Sequence, residues 1–393
     1  MPIKPEIAAL KDDMKTWRRD LHRHPETAFE EFRTADIVAE KLESWGIEVD
    51  RGMATTGVVG TLRGKGGGNR AIGLRADMDA LDMTEKNDFD HRSTIPGKMH
   101  GCGHDGHTAM LLGAASYLSK SREFDGLVHF IFQPAEENEG GGRVMVEEGL
   151  FHKFPVEGVY GLHNTPGIPV GQVGLRSGPA MAAFDVFEIT INAKGAHGAM
   201  PHTGNDAIVI ASQIVTALQS IVSRRTNPLD SAVVSVTQIH AGDTWNVLPE
   251  NAVIRGTARS FRPEVHDMLE REIETIGRGI CTAFGATLDF RYERRYPALV
   301  NSEQESLLAA AVAAKVVGKE NVNANAAPKM GSEDFAYMLQ ESPGCYIWLG
   351  NGAEGELGGC AIHNPYYDFN DEIAVLGASY WAELVETALP MKG

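Results

Sequence analysis

The sequence predicts an α/β protein of two domains, the second inserted into the first. Three observations carry this: a length of 393 residues, short apolar runs alternating with helical periodicity at both ends, and a central stretch whose strands switch to strict alternation. A chain this long exceeds what one hydrophobic core usually serves, so two cores are expected.

Residues 5–45 carry apolar positions at helical spacing on either side of His24–Pro25, which predicts two helices broken at that point. VVGTL (58–62), AIGLRA (71–76), LVHFIFQ (127–133) and GVYGLH (158–163) read as buried strands, with helices over 105–120 and 140–149. The glycine-rich GKGGGN at 64–69 reads as a flexible turn, since it lacks the GK[ST] ending of a phosphate loop. FDVFEITINAK (184–194) then alternates as a half-buried antiparallel strand does. A helix (205–224), strands (232–240 and 251–261), a helix (264–284) and a strand (286–296) follow. Strand-helix-strand-strand-helix-strand is the ferredoxin-like order, and it predicts a compact α+β domain over 183–297. Helices at 302–317, 332–341 and 371–388 and a strand at 344–350 restore the first pattern. The first domain is therefore expected to be discontinuous, 1–182 and 298–393.

Hydrophobic residues make up 43% and charged residues 23%, an ordinary composition for a folded enzyme. A formal net charge of −17 argues against nucleic-acid or anionic-membrane partners. With no apolar leader and no run read as approaching ~20 apolar residues, the expected compartment is the cytoplasm. Cys102, Cys281, Cys345 and Cys360 form no CxxC pair and are expected to be reduced, with Cys281 and Cys345 as buried filler.

Chemistry concentrates in a few segments. MHGCGHDGHTAM (99–110) sets a thiol, Cys102, two positions from an imidazole, His104, in a loop whose glycines let both converge on one ion. Taken alone, metal binding is the favoured reading of this segment, the alternative being a helix-capping loop with a buried cysteine and a histidine hydrogen-bonded to backbone. FQPAEENEGGG (132–142) places adjacent Glu136 and Glu137 after an apolar strand, where one carboxylate can hold a metal and the other move protons. Two solvated turn glutamates are the plainer alternative. His163 ends a strand-like run and His363 lies in CAIHNPYYDFND; single histidines of this kind are usually core residues, but the set Cys, His, Glu, His, His suits Zn²⁺, Mn²⁺, Co²⁺ or Ni²⁺. Asp77 and Asp79 in GLRADMDAL either orient a metal-bound histidine or cap a turn.

The ordered set RADMDAL, GCGHDGH, QPAEE, GLHN, GAHGAMPH, MGSEDF and HNPYYDFND resembles the aminoacylase and carboxypeptidase family of binuclear metallopeptidases. Within it, the chain is most similar to the amidohydrolase branch of hippurate hydrolases, N-acetyl-diaminopimelate deacetylases and indoleacetate-amino-acid hydrolases. The resemblance implies a binuclear-metal peptidase-like catalytic domain whose insert serves as a lid and a dimerisation surface. It implies metal ligands at Cys102, His104, Glu137, His163 and His363, a proton-shuttling base at Glu136 and a catalytic aspartate at Asp79. Asp77 stands where distant members have histidine, and Asp82 where relatives commonly have proline. His197 and Asn246 would reach the substrate across a closing lid or from a second subunit. The implied reaction is hydrolysis of linear N-acyl amino acids, acetyl or aromatic, with two divalent ions per subunit, Mn²⁺ or Zn²⁺ foremost, in a homodimer or larger homo-oligomer. Five ligands are few for two ions, so Cys102 is expected to bridge them. A dipeptidase or carboxypeptidase, or a non-catalytic binder of acyl amino acids, would carry much the same inventory.

Overall fold

The computed structural model describes residues 3–137 and 139–392. The chain forms two compact units. One holds the chain up to Gly178, Val300–Ala327 and the chain from Asp334 onward; the other holds Pro179–Leu299 and Pro328–Glu333. The short segment Pro328–Glu333 thus joins the second unit, although the sequence placed it in the first. Its backbone explains why: Lys329 N–H donates to Ala180 C=O, and Ala182 N–H donates to the carbonyls of Lys329 and Gly331.

The first unit is built on an eight-stranded sheet in the order Glu48–Met53, Gly57–Arg63, Leu127–Gln133, Ala71–Asp77, Gly158–Pro166, Gly344–Gly352, Val173–Gly174, Val322–Asn323. Leu127–Gln133, Ala71–Asp77, Gly158–Pro166 and Gly344–Gly352 run parallel to one another. Every residue of Ala71–Asp77 and Gly344–Gly352 is buried, as expected of parallel strands covered on both faces. Helix His104–Ser121 is buried almost all round. It packs against Lys11–Arg23 and Ala374–Ala388 and supplies Met110, Leu111 and Leu118 to the core. Edge strand Glu48–Met53 escaped the sequence reading. It is mostly solvent-facing, so EVDRGM lacks the apolar alternation that marks a half-buried strand. The N-terminal helices are Lys11–Arg23 and Phe32–Ser44, preceded by the single turn Pro5–Ala8.

The second unit is a four-stranded antiparallel sheet in the order Ala232–His240, Asn251–Ser260, Ala183–Asn192, Thr287–Tyr296, with helices Ala207–Ser220 and Pro263–Ala283. This is the ferredoxin-like topology. Phe187, Ile189 and Ile191 alternate into a separate core with Ile210, Ile214, Leu269 and Ile273. Asp206 caps the first helix, accepting from Ile208 and Val209 N–H at 3.0 and 3.1 Å. Counting its continuation to Arg225, that helix is long and apolar enough to cross a membrane by length and composition, which the sequence reading did not anticipate. Its inward face, Ile210, Ile214, Leu218 and Ile221, is nonetheless buried in the core of the second unit. The short strands Ala196–His197 and Val247–Leu248 pair as a ribbon, with Gly198 N–H donating to Asn246 C=O at 2.7 Å. His197 and Asn246 are therefore neighbours, and both are exposed.

Candidate metal centre

Within the first unit, the chemistry gathers where the parallel strands end, the usual ligand edge of such sheets. Ala71–Asp77 delivers Asp77 and, just beyond, Asp79; Leu127–Gln133 leads into Glu136 and Glu137; His163 lies on Gly158–Pro166. Gly103 caps helix His104–Ser121 with φ 96°, and a Cβ there would lie 2.3 Å from Asn164 Oδ1, so only glycine lets Cys102 and His104 turn in this way. His363 arrives from the loop after the last parallel strand, its N–H donating to Gly101 C=O at 2.8 Å.

The structure brings the five expected ligand residues together. Cys102, His104 and His163 present donor atoms within 4.8 Å of one another, and so do Cys102, Glu137 and His363. Cys102 Sγ is common to both triads; it lies 3.4 Å from His163 Nε2, and His363 Nε2 lies 3.0 Å from Glu137 Oε1. His104, Glu136 and Glu137 form a third such group.

Two of the imidazoles, those of His104 and His163, are oriented from behind, an arrangement common among metal-binding histidines. His163 Nδ1 donates to Asn164 C=O at 2.5 Å, which leaves its Nε2 lone pair toward Cys102. His104 Nδ1 faces Asp79 Oδ1 at 3.1 Å, and its buried Nε2 makes no hydrogen bond among the described residues. A buried nitrogen without a hydrogen bond, 3.7 Å from Asp77 Oδ2 and grouped with the Cys102 thiol and the Glu136 and Glu137 carboxylates, suits a borderline-soft divalent ion. The electrostatics agree. Burial opposes a charge on His104, but Asp77 and Asp79 hold its pKa up at about 10, so this point favours a cation. Burial, with Glu137, Glu136 and Asp77 nearby, pushes the Cys102 thiol well above its ordinary range; a divalent ion is the charge that would turn it into a thiolate.

The loop carrying Glu136 and Glu137 is held by three buried carboxyl groups. Glu31 Oε1 accepts Ala135 N–H at 2.9 Å, Asp79 Oδ2 accepts Glu137 N–H at 2.9 Å, and Asp334 Oδ2 accepts Gly142 N–H at 2.7 Å. Glu136 itself is 7% exposed, with Asp334 N–H 3.4 Å from its Oε1. Behind them Arg75, fully buried, donates to Asp77 Oδ2 at 2.8 Å, Gln133 Oε1 at 2.8 Å and Asp334 Oδ1 at 3.0 Å. Asp77 lies between two imidazoles: its Oδ2 is 3.7 Å from His104 Nε2 and its Oδ1 2.5 Å from His107 Nδ1, while His107 Nε2 meets Asn164 Oδ1 at 2.7 Å.

Sequence reasoning missed Glu31, Arg75, His107, Asn164 and Asp334. Two left a signal: Arg75 is a charge inside an otherwise apolar strand, and His107 sits three positions after His104 on one helix face. His197 and Asn246 belong to the second unit, on the ribbon described above.

A family model described as peptidase family M20/M25/M40 matches residues 73–387. Hippurate hydrolase of Campylobacter jejuni is 39% identical over 384 residues, 98% of this chain and 98% of its own length. N-acetylcysteine deacetylase of Bacillus subtilis is 38% identical over 374 residues, 95% of this chain and 96% of its own length. Among solved structures, the Bacillus subtilis YXEP protein, described as a dinuclear metal binding peptidase, is 34% identical with a TM-score of 0.85, covering 98% of this chain and 100% of that one.

Proposed function

Because the chain belongs to peptidase family M20/M25/M40, we propose that it is a metal-dependent amidohydrolase that cleaves linear N-acyl amino acids to a carboxylic acid and a free amino acid. The acyl group is acetyl or an aromatic acyl, in keeping with the activities named for its similar relatives. One observation carries the metal reading: Cys102 Sγ belongs to both triads, so Cys102, His104 and His163 would hold one ion and Cys102, Glu137 and His363 a second. Mn²⁺ or Zn²⁺ suits this donor set, and Co²⁺ or Ni²⁺ also fits.

When bound, such ions supply Lewis acidity to the scissile carbonyl and lower the pKa of water. The chain's own residues do the rest. Glu136, a buried carboxylate beside the ligands, takes the proton of the attacking water and returns it to the leaving amine nitrogen. Asp79 fixes the ring of His104 and the main chain of Glu137. In the second unit, His197 and Asn246 form a small polar patch for the substrate's carbonyl or carboxylate, and this unit serves as the lid. Exposed Ile208, Val209 and Val222 on its first helix support a homodimer formed through it. The four free cysteines support a reducing compartment, and the cytoplasm is the reading we adopt.

The test is a screen of N-acetyl- and N-benzoyl-amino acids against dipeptides, with Mn²⁺ or Zn²⁺ added. Higher kcat/KM on acyl amides is expected, together with a Glu136→Ala variant that keeps its metal and loses turnover. Preference for dipeptides would make the enzyme a peptidase. Binding without release of free amine would make it a non-catalytic binder.

A further inference from the structure

We propose that Glu31 is a positioning residue for Glu136: its buried side chain holds the Ala135 N–H and so fixes the left-handed turn that aims the next side chain at the metal centre. The inference rests on the reading of Glu136 as the base.

Glu31 stands at the N-cap of helix Phe32–Ser44, where an acidic side chain normally accepts from the first turn. It makes no such bond. That work falls to Glu26, whose carboxylate accepts from Arg33 N–H at 3.0 Å, Thr34 N–H at 2.8 Å and the Thr34 hydroxyl at 2.9 Å. The Glu31 main chain is nonetheless pinned, because its C=O accepts Ala35 N–H at 2.8 Å. Its side chain turns away from the helix into the interior, fully buried, where Oε2 accepts the Thr56 hydroxyl at 2.6 Å and Oε1 accepts Ala135 N–H.

Ala135 is the residue that needs holding. It has φ 54°, a left-handed conformation that its Cβ disfavours, and it is fully buried, where an unpaired N–H would be costly. The peptide between Ala135 and Glu136 sets where the Glu136 side chain starts. Ala135 is anchored by Glu31 and Glu137 by Asp79, so Glu136 is fixed on both sides. A carboxyl group buried near another carboxylate is costly to keep, since burial and the charge of Asp79 push Glu31 up to about 7.

The test compares Glu31→Ala, Glu31→Gln and Glu136→Ala in the full chain. Glutamine keeps both bonds, its oxygen accepting Ala135 N–H and its amide donating to Thr56 Oγ1. In the metal-loaded enzyme, Glu31→Ala is expected to lower kcat about 10²-fold with little change in KM or in bound metal, and Glu31→Gln to stay within about 3-fold of wild type. In the metal-free protein, amide exchange of the peptide spanning 133–142 should accelerate in Glu31→Ala but not in Glu31→Gln. Should Glu31→Ala not fold, Glu31→Asp, one methylene too short to reach both partners, should show the same signs more weakly. Wild-type kcat in the folded Glu31→Ala or Glu31→Asp variant, unchanged exchange, or a Glu31→Gln as impaired as Glu31→Ala would overturn the proposal. Full turnover by Glu136→Ala would instead sink the reading of Glu136 as base, and the proposal with it.

Discussion

Asp79 Oδ2 accepts the backbone N–H of Glu137 at 2.9 Å while its Oδ1 faces His104 Nδ1 at 3.1 Å, so one carboxylate is tied to two proposed ligands. Removing it frees the His104 ring and takes the acceptor from the part-buried Glu137 amide. Asp79→Ala is expected to weaken metal binding about 10–100-fold, measured by competition with a chelator. Unchanged affinity would show that the aspartate orients nothing.

If Cys102 is shared by two ions, its loss cannot be confined to one. Cys102→Ala should bind less than half the metal of wild type, with neither ion kept at full occupancy, by elemental analysis after dialysis. One ion retained in full would restrict the thiol to a single site.

Arg75 is buried among Asp77, Gln133 and Asp334. Arg75→Met has nearly the right volume but strands two carboxylates, and breaking a buried pair in this way typically costs about 3–5 kcal/mol. A urea melt of the metal-free protein measures it. A loss below about 1 kcal/mol would mean that the carboxylates find protons or water instead.

Glu31 also predicts a pH dependence. Its folded pKa of about 7 lies above its ordinary 4.5, so the folded state binds the extra proton between those values. Its contribution to stability therefore falls as pH rises from about 4.5 through 7, by roughly 3 kcal/mol. Comparing wild type and Glu31→Gln at both ends of that window isolates the effect, and parallel curves would refute it.

His22 acts in the same direction in a more alkaline window. Burial opposes its charge, but hydrogen bonds to Asp105 and Glu85 hold its pKa up at about 9. The stability it confers is fully present below about 6.5 and is lost as pH rises through 9. His22→Gln should flatten the alkaline limb of the stability curve; an unchanged limb would assign the loss to other groups.

Much of this was legible from periodicity. Strands Leu127–Gln133 and Ala232–His240 begin and end where the sequence placed them, because apolar runs and alternation report burial directly. Glu48–Met53 was not, since an edge strand facing water has little burial to report. The proposed ligand residues stood out because short loops with glycines and strand ends keep them close to their motifs. Glu31 gave no local sign: its partners, Thr56 and Ala135, lie 25 and 104 residues away, and only the fold joins them. Asp334 lay inside a recognised motif, yet its bond to Gly142 spans 192 residues.

Sulfur at the centre of the ligand set also governs how the chain waits for metal. Burial and the surrounding carboxylates keep the thiol of Cys102 protonated when no ion is present, and a protonated, buried thiol is a poor nucleophile and a slow target for oxidants. The empty enzyme is thereby shielded from alkylation and disulfide exchange without a partner cysteine or a reductant. The position stays chemically quiet until an ion makes it a thiolate.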